Sequence, residues 1–337
     1  MANTRSRKRA NLRDVAKLAN VSVATVSRVL NTPDSVAEVT KAAVTAAIAE
    51  LRFVPSAAAR AINSGRSRVV GALVPTLDHA IFARYLAAIE QTLSGYRLSL
   101  VVATTKGDAA IEAEKAQTLV DIGAEGLIVS GVTHEPGLYD LIERCQLPAV
   151  ATSYYDPDFH LPTIGYDNAG AGRIALQHLL DLGHSRIAVV HGSLIGNDRT
   201  LARLKGLEDT GNAELSFVEA DLSIEDGCKS AQTILSAAHR PTAILCLSDV
   251  LATGVLYEMQ RQGVGVPQDV SVIGIDDLPG SAHASPSLTT VHLPVVRMGH
   301  ATAVAISEWI ENGLKPSGML LATELVARDS TGIRRPA

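Results

Sequence analysis

The stretch NLRDVAKLANVSVATVSRVLN, Asn11 to Asn31, reads as two short helices joined by a tight turn. Leu12, Val15, Ala16 and Ala19 recur at helical spacing and line one face of the first. Asn20 and Val21 break that pattern, and Ser22 is a good N-cap for a second helix. Val26, Val29 and Leu30 form the buried stripe of that helix, with Val23, Ala24, Ser27 and Arg28 facing outward. Small side chains at its start let the backbone approach base edges. A single Arg one turn on reaches a guanine edge in a DNA major groove. Periodicity alone is met equally by an ordinary helical hairpin with no DNA role.

Charge separates the two readings. Residues 1–66 hold 11 Lys and Arg and four Asp and Glu, a net charge of +7, whereas residues 67–337 carry −12 of the chain's −5. A basic head on an acidic body concentrates phosphate attraction at one end. The run Arg5-Ser6-Arg7-Lys8-Arg9 lies in residues 1–10 and has no apolar partners. It reads as a flexible arm adding salt-sensitive affinity, or as a solvated tail. A third helix comes next, for which Ser35 serves as cap and Val36, Val39, Ala43, Ala47, Ile48 and Leu51 as apolar face. Three such helices close a core of about 50 residues, a size that is marginal alone. The helical domain spans residues 11–54.

Residues 55–66 connect it to the rest. Pro55 favours an extended residue before it and can open a helix after it. Ser56 to Ile62 then make two Ala-rich turns, too short to be stable alone in water, and Asn63-Ser64-Gly65 ends them. Such a helix folds when a partner docks on it; a plain interdomain linker fits the spacing as well.

These motifs, VSVATVSRVLN and, further along, FVPSAAARAI, resemble the DNA-binding headpiece and hinge helix of the LacI family of bacterial transcription regulators. The resemblance implies that Val23, Ala24 and Arg28 read bases and that Ser22, Thr25, Ser27 and Asn31 contact phosphate. It makes Ala59 and Ile62 the DNA-facing hinge residues, with Ile62 at the position that wedges into the central base step. Ile is apolar but stiffer than the family's leucine. Unstacking the step costs a few kcal/mol, recovered on the bent site. Ser56 stands where the family often has Asn, and caps as well.

Residues 67–337 are long enough for two α/β lobes. Apolar runs without alternation suit strands buried on both faces of a parallel sheet. They are Val69–Val74, Leu98–Ala103, Gly126–Val129, Pro148–Ala151, Ile187–Val190, Ala243–Leu247 and Ser271–Ile275. Helical stretches lie between them, at Ile81–Leu93, Ile111–Ile122, Ala169–Leu182 and Ser223–Ala237. Alternation of this kind implies two doubly wound parallel sheets with ligands at the strands' carboxyl ends.

The body also resembles the family's regulatory core, which is similar to a periplasmic sugar-binding protein. The matching segments include GAEGLIVS, LGHSRIAVVHG, SVIGIDD and LVARDSTG. The resemblance implies crossovers near Gly165, Pro294 and Thr323. Lobe one is then about 67–165 and 295–322, and lobe two about 166–294 and 324–337.

It further implies an effector between the lobes. Arg203, three residues before Gly206, matches the family's arginine that grips ligand oxygens. Asp276 matches the carboxylate that takes paired hydroxyls. A structural salt bridge is the alternative for both. Ser248 lies where many members place a ligand-contacting Asn, Ser153 where some place Asp, and Asp78 in a changed cleft mouth. Leu222 replaces the stacking Trp or Phe of sugar- and purine-responsive members, which argues against a purine. Arg203 with Arg199 nearby suits an anionic ligand such as a sugar acid.

The remaining features exclude more than they suggest. Cys145, Cys228 and Cys246 are far apart, without metal-ligand spacing, and fit a reducing cytoplasm. Cys246 reads as core. His178, His184 and His191 read as packing or capping residues. No apolar run approaches a membrane span, and no apolar segment succeeds the basic N-terminus as in a secretion signal. Gly170-Ala171-Gly172 lacks the dinucleotide spacing, and no Gly-x-Ser-x-Gly elbow or P-loop occurs. A transport binding protein and an α/β enzyme therefore rank below a regulator. The expected partners are double-stranded operator DNA, a small polar effector and a second copy of the chain, with no cofactor and no membrane. Only Ile333–Ala337 come after LVARDSTG, without the extension some members use to tetramerise, so a homodimer is expected.

Overall fold

The computed structural model describes residues 10–54, 65–208 and 213–334. The chain divides into two compact units, Met1–Ser67 and Arg68–Ala337.

In the first unit, α1 (Leu12–Leu18), α2 (Val23–Asn31) and α3 (Glu38–Glu50) enclose Val15, Ala16, Val26, Val29, Val44 and Ala47. Asn11 caps α1 through the N–H groups of Arg13 and Asp14, while the Asp14 carboxylate accepts the Asn11 N–H at 2.9 Å. Two expectations for α3 fail. Ser35 does not cap it: Pro33–Ser35 form a short 3₁₀ turn in which the Ser35 hydroxyl donates to Thr32 O at 2.7 Å. The helix begins at Glu38 behind Ala37, without a side-chain cap. Ala47 is buried as expected and Val36, Ile48 and Leu51 pack against the same core, but Val44 joins them while Val39 is 84% exposed and Ala43 is exposed too. The arm and hinge candidates, including Ser56, Ala59 and Ile62, lie outside the described residues.

The second unit continues with β1 (Val69–Val74), α4 (Ala80–Gly95), β2 (Ser99–Thr104), α5 (Ala109–Asp121) and β3 (Ala124–Ser130). Next come α6 (Pro136–Arg144), β4 (Ala149–Thr152), β5 (Thr163–Tyr166), α7 (Asn168–Asp181) and β6 (Arg186–His191). After these lie α8 (Asp198–Glu208), β7 (Glu214–Glu219), α9 (Ile224–Ser236), β8 (Ala243–Cys246), α10 (Asp249–Arg261) and β9 (Ser271–Asp276). The last elements are β10 (Thr289–His292), α11 (Val295–Asn312), β11 (Met319–Leu321) and β12 (Glu324–Val326).

Two sheets result, ordered β11-β5-β4-β3-β1-β2 and β12-β10-β9-β8-β6-β7. All neighbours are parallel except β12, which runs antiparallel to β10. The central strands β4, β8 and β9 are buried along their whole length, which is why they read as unbroken apolar runs. Cys246 is fully buried there. The chain passes between lobes after β5, before α11 and between β11 and β12. These passages hold the carboxyl ends of both sheets against a common cleft.

Helix contacts fix that cleft's far wall. A Cβ on Gly206 of α8 would meet the carbonyl of Ala169, and one on Gly172 of α7 would meet the carbonyl of Arg203. The two helices therefore cross backbone to backbone, which sets how far Arg203 projects.

Candidate functional site

The exposed end of α2 is built by its cap. The Ser22 hydroxyl accepts the Thr25 N–H at 3.1 Å and lies 2.9 Å from the Thr25 hydroxyl. This leaves Val23, Ala24 and Arg28 exposed and Ser27 half-buried, while Asn31 closes the helix. Small and polar side chains at the exposed start of α2, with Arg28 exposed in its last turn, suit groove binding.

In the second unit a cavity lies at the carboxyl ends of both sheets, enclosing about 900 Å³ with its open mouth. Ser153 comes just after β4, Tyr166 ends β5, Ser248 comes just after β8 and Asp276 ends β9, and all four line it. Arg203 reaches it from α8, where the Asn197 side chain accepts the Thr200 N–H at 3.2 Å. Lobe one contributes mainly apolar groups, including Ile81, Phe82, Val295 and Met298, and lobe two most of the polar ones.

Arg203 is 8% exposed. Its Nε donates to Asn168 Oδ1 at 3.2 Å and its Nη1 to the Leu247 carbonyl at 2.6 Å. Both bonds hold the guanidinium without using all its donors. Asn168 in turn donates to the Ser153 carbonyl at 2.9 Å, which ties lobe two to lobe one directly beneath the cavity.

Asp276 Oδ1 lies 3.9 Å from Arg203 Nη1. Its Oδ2 accepts the Ser248 hydroxyl at 3.0 Å and the Asp249 N–H at 3.4 Å. Burial pushes the Asp276 carboxyl up to about 7, with Asp249 adding to the rise and Arg203 opposing it. Asp276 has φ 137° and Asp277 φ 54°, a left-handed pair held by surrounding bonds. The main holder is Asp249, whose carboxylate accepts the Leu278 N–H at 2.9 Å, the Ser281 hydroxyl at 2.6 Å and the Thr290 hydroxyl at 2.5 Å. Arg328 and His292 clamp the Asp277 carboxylate from behind, at 2.6 and 2.9 Å, and hold it below the usual range despite its burial.

The structure thus brings Arg203, Asp276, Ser248 and Ser153 together. It does not bring in Asp78. That side chain is exposed and bonded to the Thr76 hydroxyl at 3.1 Å, while Thr76 and His79 line the cavity instead. A local turn satisfies the carboxylate where the sequence offered it to a ligand. Leu222 lines the cavity, but Phe82, Tyr85 and Tyr166 do too, so the cavity does have aromatic rings. Leu222 therefore does not exclude flat-ringed ligands. Arg199 lines the cavity paired with Asp198 at 2.9 Å, which makes it a balanced charge. Asn168, Asp198 and Asp249 were not singled out from the sequence. Among the described residues no cluster of metal-ligating side chains occurs and no helix is long and apolar enough to cross a membrane.

Comparison with known proteins bears on both surfaces. The pattern of the bacterial regulatory proteins, lacI family, matches residues 11–56, and that of a periplasmic binding protein-like domain matches residues 176–331. The HTH-type transcriptional repressor PurR of Escherichia coli is 34% identical over 335 residues, covering 95% of this chain and 96% of that protein. The ribose operon repressor of Haemophilus influenzae is 31% identical over 312 residues, covering 90% and 92%. The crystal structure of the lac repressor dimer bound to operator and the anti-inducer ONPF superposes with a TM-score of 0.85 at 26% identity, covering 96% of this chain and all of that one.

Proposed function

The chain belongs to the LacI family of bacterial regulatory proteins, and on that premise we propose that it represses transcription under control of a small polar effector. Two copies read the halves of a near-palindromic operator, each through Val23, Ala24 and Arg28, with phosphates held by Ser22, Thr25, Ser27 and Asn31. Hinge segments carrying Ala59 and Ile62 order on the bent site. The effector, a sugar or sugar acid, occupies the cavity that Arg203 and Asp276 line. It works by binding, in the cytoplasm, and no catalytic step is involved.

One observation carries this reading. A buried guanidinium, a buried carboxylate and two Ser residues converge where two lobes meet, in a chain whose other unit presents a helix with an exposed small-residue start. Arg and carboxylate side by side offer donors and acceptors to adjacent hydroxyls. Because Asn168 and Ser153 link the lobes under the cavity, a ligand there alters how the lobes rest on each other. A coupling of about 1–3 kcal/mol then shifts DNA affinity about 5- to 150-fold.

Thermal shift of the full chain against sugars, sugar acids, polyols and nucleobases tests it, since a ligand raises the melting point by mass action. A hit abolished by Arg203→Ala and altering DNA affinity is expected. A hit that survives Arg203→Ala, or leaves DNA binding untouched, contradicts the assignment.

A further inference from the structure

Beside the cleft, Asp198 bridges the two lobes. Asp198 opens α8 in lobe two, and its Oδ2 accepts the N–H groups of Val132 at 2.5 Å and Thr133 at 3.0 Å. Both donors lie in the loop after β3, in lobe one. Its Oδ1 accepts Arg199 Nη1 at 2.9 Å. The Asp198 and Arg199 side chains are 10% and 14% exposed, so neither water nor salt screens the pair much.

The backbone around this bridge is shaped to receive it. Gly131 has φ 88°, and a Cβ there would collide with Asp198 and Arg199. Gly196 has φ 64°, and its Cβ would meet the Gly107 carbonyl of lobe one at 2.5 Å. The start of α8 and the segment ahead of it therefore touch lobe one at two places, and a glycine of positive φ stands at each. Arg84 adds a third link, donating from α4 to the Asp277 carbonyl at 3.3 Å.

The same side chain sets the charge balance. Arg199 and Arg203 line the cavity, and each has a carboxylate at hand, Asp198 and Asp276. A ligand carboxylate entering beside Arg199 must displace Asp198 or sit against it, and displacement also breaks the bridge. A hydroxyl does neither, because it donates to a carboxylate and accepts from a guanidinium.

We propose that Asp198 determines the ligand selectivity of the cleft: by bridging to lobe one and pairing with Arg199, it makes the cleft take an uncharged polyhydroxy ligand in preference to the matching carboxylate. This rests on the reading of the cavity as the effector site.

Two measurements on the full chain test it. Amide exchange at Val132 and Thr133 reads the bridge without any ligand. Slow exchange in the wild type and faster exchange in Asp198→Asn is expected. Exchange unaffected by the substitution overturns the bridge and leaves the effector reading standing. Calorimetric titration with matched aldose and aldonate pairs (glucose and gluconate, ribose and ribonate, galactose and galactonate) reads selectivity. The wild type should bind a neutral member at least about tenfold more tightly than its acid, a difference of about 1.4 kcal/mol. Asp198→Asn should narrow or reverse that ratio. An aldonate that binds the wild type as tightly as its aldose overturns the proposal, even if the variant fails to fold. Silence from every pair contradicts the effector reading, and this proposal with it.

Discussion

At the level of single residues, Asp276 controls how the cleft responds to pH. In the folded chain its carboxyl holds a proton up to about 7, whereas in the unfolded chain it releases it near the ordinary value of about 4. Between those limits the folded state binds the extra proton, so stability falls as pH rises through this window and levels off above it. Asp249, raised by the same burial, adds a slope of the same sign. Asp276→Asn should flatten part of that slope and raise the melting point above about pH 7 relative to wild type. Thermal melts across the window check it, and parallel curves for the two proteins would contradict the burial argument. The residues nearest this chemistry were only partly legible. Asp276, Ser153 and Ser248 stand at or just after recognisable strand ends, whereas Arg203 sits in mid-helix and was marked by family resemblance alone. Asp249 gains its meaning from Leu278 and Thr290, 29 and 41 positions away, and Asp198 from Val132, 66 positions away. No local pattern reports partners that distant. Asp78 misled for the opposite reason, since its partner Thr76 is two residues away and removes it from the cavity.

Among the elements, the α7–α8 crossing and the α2 cap each carry a prediction. Gly206→Ala forces a methyl group onto the Ala169 carbonyl and moves α8 as a body. It should cost about 1–3 kcal/mol of stability in denaturant unfolding, and weaken ligand binding through Arg203. A variant with wild-type stability would show that the helices can separate freely. Ser22→Ala removes the bond to the Thr25 N–H and should cost the headpiece about 1 kcal/mol, measured by its own thermal transition. Elements with one strong signal were legible from the sequence. The buried central strands announce themselves as apolar runs. Edge strand β7 does not, because it is largely exposed and mixes Glu214, Ser216 and Glu219 with its apolar residues. Strands β11 and β12 are three residues each and exist only through their pairing with β5 and β10. Within the α3 stripe Val39 and Ala43 were misplaced, because Ala-rich helices show little contrast between faces.

Across the molecule, a basic DNA-reading unit and an acidic ligand-binding unit share one chain, with net charges of +7 and −12 over residues 1–66 and 67–337. The acidic body discourages contact with DNA except through the basic end, so affinity should drop steeply as salt rises. Everything else about the regulator depends on the exposed start of α2 reading sequence. Selection of bound duplexes from a random pool by the full chain, repeated with Arg28→Ala, tests that. A near-palindromic site should be enriched. Arg28→Ala should weaken that site by about 1–3 kcal/mol and relax preference at the base pair the arginine contacts, with little effect on random DNA. A pool that emerges without enrichment, or a variant that selects the same site with the same affinity, would refute base reading by α2.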